Sequence, residues 1–145
     1  MKELAEVLRK NKAIYLGGKA NSHHNIDARK YLAEEGFAVF SDEYFSLVKY
    51  VNGIRDDFAT IYAILPEDDG TGFADAVLVN VEMSRPDRNT VAVLGETNFD
   101  YFVYDTKANQ YQLRDRESDD IVGRFSDLSS AIKRIFNLRS IKQFC

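Results

Sequence analysis

The chain has two histidines, His23 and His24, and both lie within four residues of Asp27. Imidazole and carboxylate groups are common zinc ligands, and zinc needs at least three ligands from the protein. His23 and Asp27 are one helical turn apart and could supply two ligands, but neighbouring histidines on a helix point in different directions. The cluster therefore falls one ligand short, and we interpret it as the polar approach to a helix start, not as a metal site.

A second stretch, Gly17-Gly18-Lys19, is similar to the end of a phosphate-binding loop. That motif needs an earlier glycine and a Ser or Thr directly after the lysine, because the hydroxyl contacts the magnesium ion of the nucleotide. Here Ala13 and Ala20 stand at those two positions. The sequence therefore does not predict a nucleotide site.

The acidic run over 67–72 has the composition of a calcium loop. If Gly72 were the invariant turn glycine, the twelfth position, which must carry a bidentate carboxylate, would be Leu78. An EF-hand is thus excluded, and a solvated acidic loop is the favoured interpretation.

Nucleophilic catalysis would have to draw on the same two histidines. Neither lies in a nucleophile-elbow motif, and the single cysteine, Cys145, is the last residue. Glu96 and Asp100 flank the turn after a buried strand, and such turns often carry functional side chains. We nevertheless favour the interpretation that the two residues are polar residues that form the turn. We predict no catalytic residue, no metal, no cofactor and no enzyme activity.

Among the elements, the most fully specified is a short helix that begins after Ser41. Ser41 suits the N-cap, and Asp42 and Glu43 fall in the first turn, where negative charge is favourable. Phe40 and Phe45 have the spacing of a hydrophobic staple. The stripe expected to face inward consists of Tyr44, Leu47, Val48 and Val51.

Asn52-Gly53 is predicted to end this helix, because both residues tolerate left-handed backbone. Two helices are predicted before it, one over residues 3–9 and one capped by Asn25 that runs through Glu35 to Gly36. The residues of the second helix expected to face inward are Ala28, Tyr31 and Leu32.

The rest of the chain predicts mostly strands. Aromatic and β-branched residues favour a strand over 58–65, whereas 73–83 is ambiguous between strand and helix, with strand favoured. Further strands are predicted over 91–95, 101–105 and 110–114, the last two as a hairpin. The final helix is predicted to be capped by Ser126, with an inward face of Leu128, Ala131, Ile132, Ile135 and Phe136.

Strands that follow one another, instead of alternating with helices, indicate an α+β fold. We expect a central, mainly antiparallel sheet flanked by N-terminal helices and a C-terminal helix. The 145 residues contain no repeat or linker, which favours a single domain over 1–145. A chain of this length can bury a sufficient core without disulfides or metal ions.

Charge is distributed unevenly along the chain, whose net charge is −4. Residues 42–127 hold 8 basic and 18 acidic side chains, a balance of −10. Such a segment would repel nucleic acid and would attract a basic partner. An equally good explanation is that the acidic residues only keep a small domain soluble.

Nothing in the sequence predicts export or membrane insertion. The N-terminus carries acidic residues and lacks an apolar run, and no segment approaches the ~18 continuous apolar residues of a membrane span. A lone cysteine fits a reducing compartment. We therefore expect a cytoplasmic protein.

From about Asn25 to Phe136 the chain resembles the SUKH superfamily. The residues that carry the resemblance are Glu35-Gly36, Phe40-Ser41-Asp42-Glu43-Tyr44, Asn52-Gly53, Asp100-Tyr101-Phe102-Val103-Tyr104-Asp105, Tyr111 with Asp115, and Phe125-Ser126. The order of these elements carries more weight than any one of them. In one departure from the family pattern, Ser41 stands where proline is usual, and both residues suit a helix start.

The resemblance implies a binding module without catalysis, so no catalytic or metal residue carries over. Many bacterial members are thought to be immunity proteins that neutralise toxins, often nucleases, whereas yeast members regulate cell-wall glucan synthesis through partners. The leading expectation is an immunity protein with a protein partner such as a basic toxin domain, and a regulator of glucan synthesis is the alternative. Neither expectation involves nucleic acid or a membrane.

Acidic side chains predicted to lie on loops are the candidate partner-binding residues. They are selected for charge and loop position, because complementary charge accelerates association with a basic surface. The six candidates are Asp68, Asp69, Glu96, Asp115, Asp119 and Asp120.

Overall fold

The computed structural model describes residues 1–64 and 72–138. Within these residues the chain forms five helices and one seven-stranded sheet, which confirms the predicted α+β class. The helices are α1 (Lys2–Arg9), α2 (Ser22–Glu34), α3 (Asp42–Val48), α4 (Ala76–Met83) and α5 (Leu128–Ile135). The strands are β1 (Tyr15–Leu16), β2 (Ile54–Arg55), β3 (Ala59–Ile61), β4 (Val91–Thr97), β5 (Asp100–Asp105), β6 (Gln110–Asp115) and β7 (Ile121–Phe125). None of these helices is long and apolar enough to cross a membrane.

The sheet is an antiparallel meander in which the strands lie in chain order from β1 to β7. The predicted hairpin is confirmed as β5–β6, where Tyr104 pairs with Tyr111 and Phe102 with Leu113. Each antiparallel connection reverses the direction of the chain. The turns that follow β2, β4 and β6 therefore lie at one end of the sheet.

The core helix α3 begins as predicted. Ser41 accepts a hydrogen bond from the backbone N–H of Tyr44 at 3.2 Å, and the rings of Phe40 and Phe45 lie 5.8 Å apart between centroids. The helix is joined to its neighbours through Glu43, whose carboxylate accepts hydrogen bonds from the Tyr111 hydroxyl at 3.0 Å and from the first N–H of α5 at 3.3 Å. These contacts fix α3 and α5 on one face of the sheet.

The predicted end of α3 is wrong, because the helix stops at Val48, well before Asn52-Gly53. Asn52 serves the tertiary structure instead: its side chain accepts from the N–H of Ile64 at 2.7 Å and donates to the carbonyl of Ile64 at 3.0 Å. Gly53 has φ +113°, and a Cβ there would lie 2.7 Å from the ring of Phe73.

In α2 the predicted cap and one inward residue are wrong. The cap is Asn21, which accepts from the N–H of His24 at 2.9 Å. Asn25 lies inside the helix and is buried, where it donates to the carbonyl of Phe45 at 3.2 Å. Tyr31 is 42% exposed, whereas Ala28 and Leu32 are buried as predicted.

The favoured strand over 73–83 is also wrong, because this segment contains α4. Asp75 caps the helix by accepting from the N–H of Val77 at 3.0 Å. The buried side chain of Asn80 accepts from the N–H of Val93 and donates to its carbonyl, both at 2.8 Å. Asn80 thus bonds the β4 backbone beyond the end of β3, while Val93 is paired on the other side with Val103 of β5.

The final helix is capped by Asp127, one residue after the predicted Ser126. Asp127 accepts from the N–H of Ser130 at 2.7 Å. The predicted inward face is confirmed, and its five buried members are Leu128, Ala131, Ile132, Ile135 and Phe136.

Candidate functional site

Three turns form a continuous surface at one end of the sheet. We call this surface the turn end and define it as residues 55–59, 96–101 and 114–120. The N–H of Asn98 donates to the carbonyl of Phe58 at 3.1 Å, and the N–H of Arg116 donates to the carbonyl of Phe99 at 3.0 Å. These backbone bonds join the β2–β3, β4–β5 and β6–β7 turns directly.

The turn end is strongly acidic. It carries eight carboxylates against three guanidinium groups, a balance of −5. The basic residues are Arg55, Arg114 and Arg116. The acidic residues are Asp56, Asp57, Glu96, Asp100, Asp115, Glu117, Asp119 and Asp120.

Glu96 is held in a polar cluster on the sheet. Its carboxylate accepts from the Tyr62 hydroxyl at 3.0 Å and lies 3.1 Å from the Arg116 guanidinium, which in turn lies 4.8 Å from the centre of the Tyr101 ring. Burial raises the pKa of Tyr62, and the neighbouring Glu96 charge raises it further, so the hydroxyl stays protonated. Glu96 is therefore a half-exposed carboxylate that Arg116 already neutralises.

Asp119 belongs to a network of two arginines and three carboxylates. The Arg85 guanidinium lies 2.8 Å from Asp119 and 2.9 Å from Asp87. The buried Arg114 guanidinium lies 3.2 Å from Asp87, 3.4 Å from Asp105 and 3.5 Å from Asp119. Burial acts to raise the pKa of Asp87, but the two arginines outweigh it and lower this pKa. The network ties the β6–β7 turn to the segment after α4.

Asp115 organises the same turn, since its carboxylate accepts from the N–H groups of Glu117 and Ser118, both at 2.9 Å. These two bonds lower the pKa of Asp115. Its direct neighbour across β5 and β6 is Asp100, whose pKa is raised by partial burial and by the Asp115 charge. Two like charges thus lie directly opposite each other, an arrangement that destabilises a sheet.

Asp120 is exposed. Its backbone carbonyl accepts from the N–H of Asp115 at 2.9 Å, but within the described residues its carboxylate has no hydrogen-bond or ion-pair partner. The same holds for the carboxylates of Asp57 and Glu117, which the sequence prediction did not include. These three groups are available to an approaching cation.

Two phenylalanines lie exposed among these carboxylates. Phe58 is 41% exposed and Phe99 is 68% exposed, and their rings lie 6.2 Å apart between centroids. Each phenylalanine directly follows an exposed polar residue, Asp57 or Asn98, and this contrast is the signal that the sequence offers. The strand predicted over 58–65 instead treats Phe58 as a strand residue.

No protein-family model matches this chain, and no curated protein matches it. The resemblance to the SUKH superfamily therefore stays a prediction based on the residues that carry it.

Of the six predicted partner-binding residues, four lie on the turn end. Asp115, Asp119 and Asp120 share one turn, and Arg116 of that turn pairs with Glu96. Asp68 and Asp69 lie outside the described residues. Sequence reasoning thus found the β6–β7 turn but missed Asp57, Glu117 and the two phenylalanines.

The histidine cluster lies at the start of α2. His24 is within 3.3 Å of the cap residue Asn21, and His23 is exposed. In the described part of the chain, no three His, Cys, Asp or Glu side chains are grouped so as to hold a metal ion.

Proposed function

We propose that this protein is a non-catalytic binding module of SUKH type, an immunity protein that binds and neutralises a basic toxin domain. The observation that carries the proposal is the turn end, where an acidic surface with a balance of −5 surrounds two exposed phenylalanines. Protein interfaces combine such aromatic residues with a polar, charged rim. A nucleic-acid phosphate backbone would be repelled by the same surface.

The mechanism is occlusion of the toxin by charge and shape. A basic nuclease domain carries positive charge where it holds phosphates, and the turn end presents carboxylates to the same positions. Complementary fields raise association rates and make them sensitive to salt. Among the described residues, the carboxylates of Asp57, Glu117 and Asp120 are free to make new ion pairs. Other carboxylates of the turn end already have partners, namely those of Asp56, Glu96, Asp115 and Asp119.

The opposed pair of Asp100 and Asp115 supports a binding role. Like charges directly across two strands cost stability, and the pKa of Asp100 is raised by partial burial and by the Asp115 charge, so the Asp100 charge weakens the fold on balance. A cation of a bound partner would relieve this repulsion. The repulsion between Asp100 and Asp115 would then destabilise the free protein, and a partner cation placed there would stabilise the complex.

The direct test is co-expression with a toxin, which the proposal expects to be encoded beside the gene. We expect the chain to restore growth of cells that express this toxin and to bind the purified toxin domain at a ratio of one to one. An unrelated nuclease toxin of similar net charge serves as the control and should remain active. Absence of both rescue and binding would refute the proposal, and altered cell-wall composition in a deletion strain would then favour the regulator of glucan synthesis.

A further inference from the structure

We propose that Phe58 and Phe99 form one aromatic anchor that enters an apolar pocket bordered by lysine and arginine side chains on the partner. This inference rests on the proposed function and specifies how the complex is held. The two rings lie at the tips of different turns, yet they are in contact, with centroids 6.2 Å apart. Together they form a single apolar projection.

The anchor is rigid before any partner arrives. Asp56 accepts from the N–H groups of Phe58 and Ala59, both at 2.8 Å. Thr97 accepts from the N–H of Phe99 at 3.1 Å. A projection whose backbone is already fixed loses little conformational entropy on binding.

The other backbone groups of the anchor are bonded as well. The carbonyl of Phe58 accepts from Asn98, and the carbonyl of Phe99 accepts from Arg116. The three turns therefore hold each other, so the backbones of the two phenylalanines are fixed relative to one another. Exposed aromatic residues in such fixed positions are typical of the few residues that dominate an interface.

The charges around the rings define the chemistry of the partner. Asp56 and Asp57 directly precede Phe58, and Asp100 follows Phe99 in the chain. The β6–β7 turn, which carries Glu117, contacts the backbone of Phe99. A neutral or acidic pocket would desolvate these carboxylates without compensation, whereas a pocket with a basic rim would pair them.

A second exposed apolar area lies between α2 and α4. It is a groove of about 350 Å³ that includes Tyr31, 42% exposed, and Leu78, 51% exposed. Nothing in the structure shows what would cover it, so it carries no proposal. It does supply a control, because Leu78 is as exposed as the two phenylalanines but lies on a different surface.

The test measures the affinity of the purified chain for the toxin domain encoded beside the gene. Phe58→Ala and Phe99→Ala should each raise Kd by about 30-fold or more, the usual effect of removing a dominant interface residue. Leu78→Ala should leave Kd within about twofold. The slope of affinity against salt should stay unchanged in both phenylalanine variants, since no charge is removed.

The outcomes separate the two proposals. If the wild-type chain binds the toxin and the double variant Phe58→Ala/Phe99→Ala binds equally well, the anchor is wrong and the proposed function stands. If the wild-type chain does not bind, both are wrong. Circular dichroism of the double variant confirms that it is folded, and Phe99→Trp, which keeps an aromatic ring, should retain tight binding.

Discussion

Asp100 and Asp115 lie directly opposite each other on β5 and β6, so two acidic residues are cross-strand neighbours at the acidic end of the sheet. Asp115 is fixed by two backbone N–H groups of its own turn. Its pKa is lowered by those bonds, while the pKa of Asp100 is raised by burial and by the Asp115 charge. The pair therefore remains a site of repulsion at neutral pH.

Replacing Asp100 by Asn should stabilise the free protein at pH 7 by a few tenths of a kcal/mol, because a solvated cross-strand repulsion is removed. Because the pKa of Asp100 is higher in the folded state than in the unfolded state, protonation of Asp100 favours folding. This contribution is fully present below the unfolded pKa, near 3.9, and is lost as the pH rises through the folded pKa. The gain from Asp100→Asn should therefore shrink towards pH 3. Urea unfolding at both pH values measures it.

Asp57→Asn provides the comparison, since Asp57 has no such opposed carboxylate among the described residues. Equal gains for Asp57→Asn and Asp100→Asn would contradict the account of the pair. So would a gain for Asp100→Asn that is the same at pH 3 and pH 7.

Removing Arg114 should destabilise the protein strongly. Arg114→Ala leaves Asp87 and Asp105 without a buried guanidinium that now lies 3.2 and 3.4 Å away. Loss of one member of a buried charge network costs about 3 kcal/mol. Chemical denaturation at pH 7 is the measurement, and Arg124→Ala on the exposed position of β7 should change stability by less than about 0.5 kcal/mol.

The cost of Arg114→Ala should also depend on pH. The pKa of Asp87 is lowered in the folded state, against the raising effect of burial, by Arg85 and Arg114. A lowered carboxyl pKa stabilises the fold above the unfolded pKa, and this contribution is lost as the pH falls through the folded value. The difference between wild type and variant should thus be smaller in acid, and a constant difference from pH 7 to pH 3 would argue against the network.

Asn80→Ala should cost about 2–4 kcal/mol, since it leaves both the N–H and the carbonyl of Val93 buried without a partner. Thermal or urea unfolding measures the loss. Asn89→Ala, at an exposed position in the turn before β4, should have little effect. If Asn80→Ala were as mild as Asn89→Ala, the amide could not be completing the hydrogen bonds of β4.

Gly53→Ala should destabilise by about 1–3 kcal/mol. The residue has a backbone φ of +113°, which residues other than glycine rarely adopt, and the new Cβ would lie 2.7 Å from the Phe73 ring. The matched control is Gly18→Ala, where no atom lies within 4 Å of the added Cβ. Equal melting temperatures for the two variants would contradict the steric explanation.

The elements that sequence reasoning predicted well are those whose signals are local. Helix α3 carries its cap, its acidic first turn and its staple within six residues. The hairpin β5–β6 joins a strand rich in aromatic residues to a strand in which polar and apolar residues alternate. These features act over short distances and need no knowledge of the rest of the chain.

The elements that were missed depend on tertiary contacts. Helix α4 is rich in valine, which favours strand over helix, and the helix is held in place by the hydrogen bonds of Asn80 to β4. Strand β7, over Ile121–Phe125, was not predicted, and neither were the two-residue strands β1 and β2, which exist only through pairing. Likewise Asn52 does not end a helix; its side chain accepts a hydrogen bond from the backbone N–H of Ile64, a contact that the sequence does not reveal.

The candidate site likewise has features that the sequence predicts and features that only the fold reveals. Charge and loop position were enough to select Asp115, Asp119 and Asp120. That Glu96 and Asp119 are already paired with arginines could not be seen without the fold. Nor could the meeting of Phe58 and Phe99, which lie 41 residues apart, because only the meander brings their turns to one end of the sheet.

The most direct measurement is the association rate of the purified chain with the toxin domain encoded beside its gene, from about 50 to 500 mM salt. We predict fast association that slows as salt increases. The charge-reversal variant Asp57→Lys/Asp120→Lys should associate at least about tenfold more slowly, while Glu6→Lys/Glu34→Lys, on exposed positions of α1 and α2, should have a much smaller effect. Equal slowing by the two double variants, or an association rate independent of salt, would contradict binding through the acidic turn end.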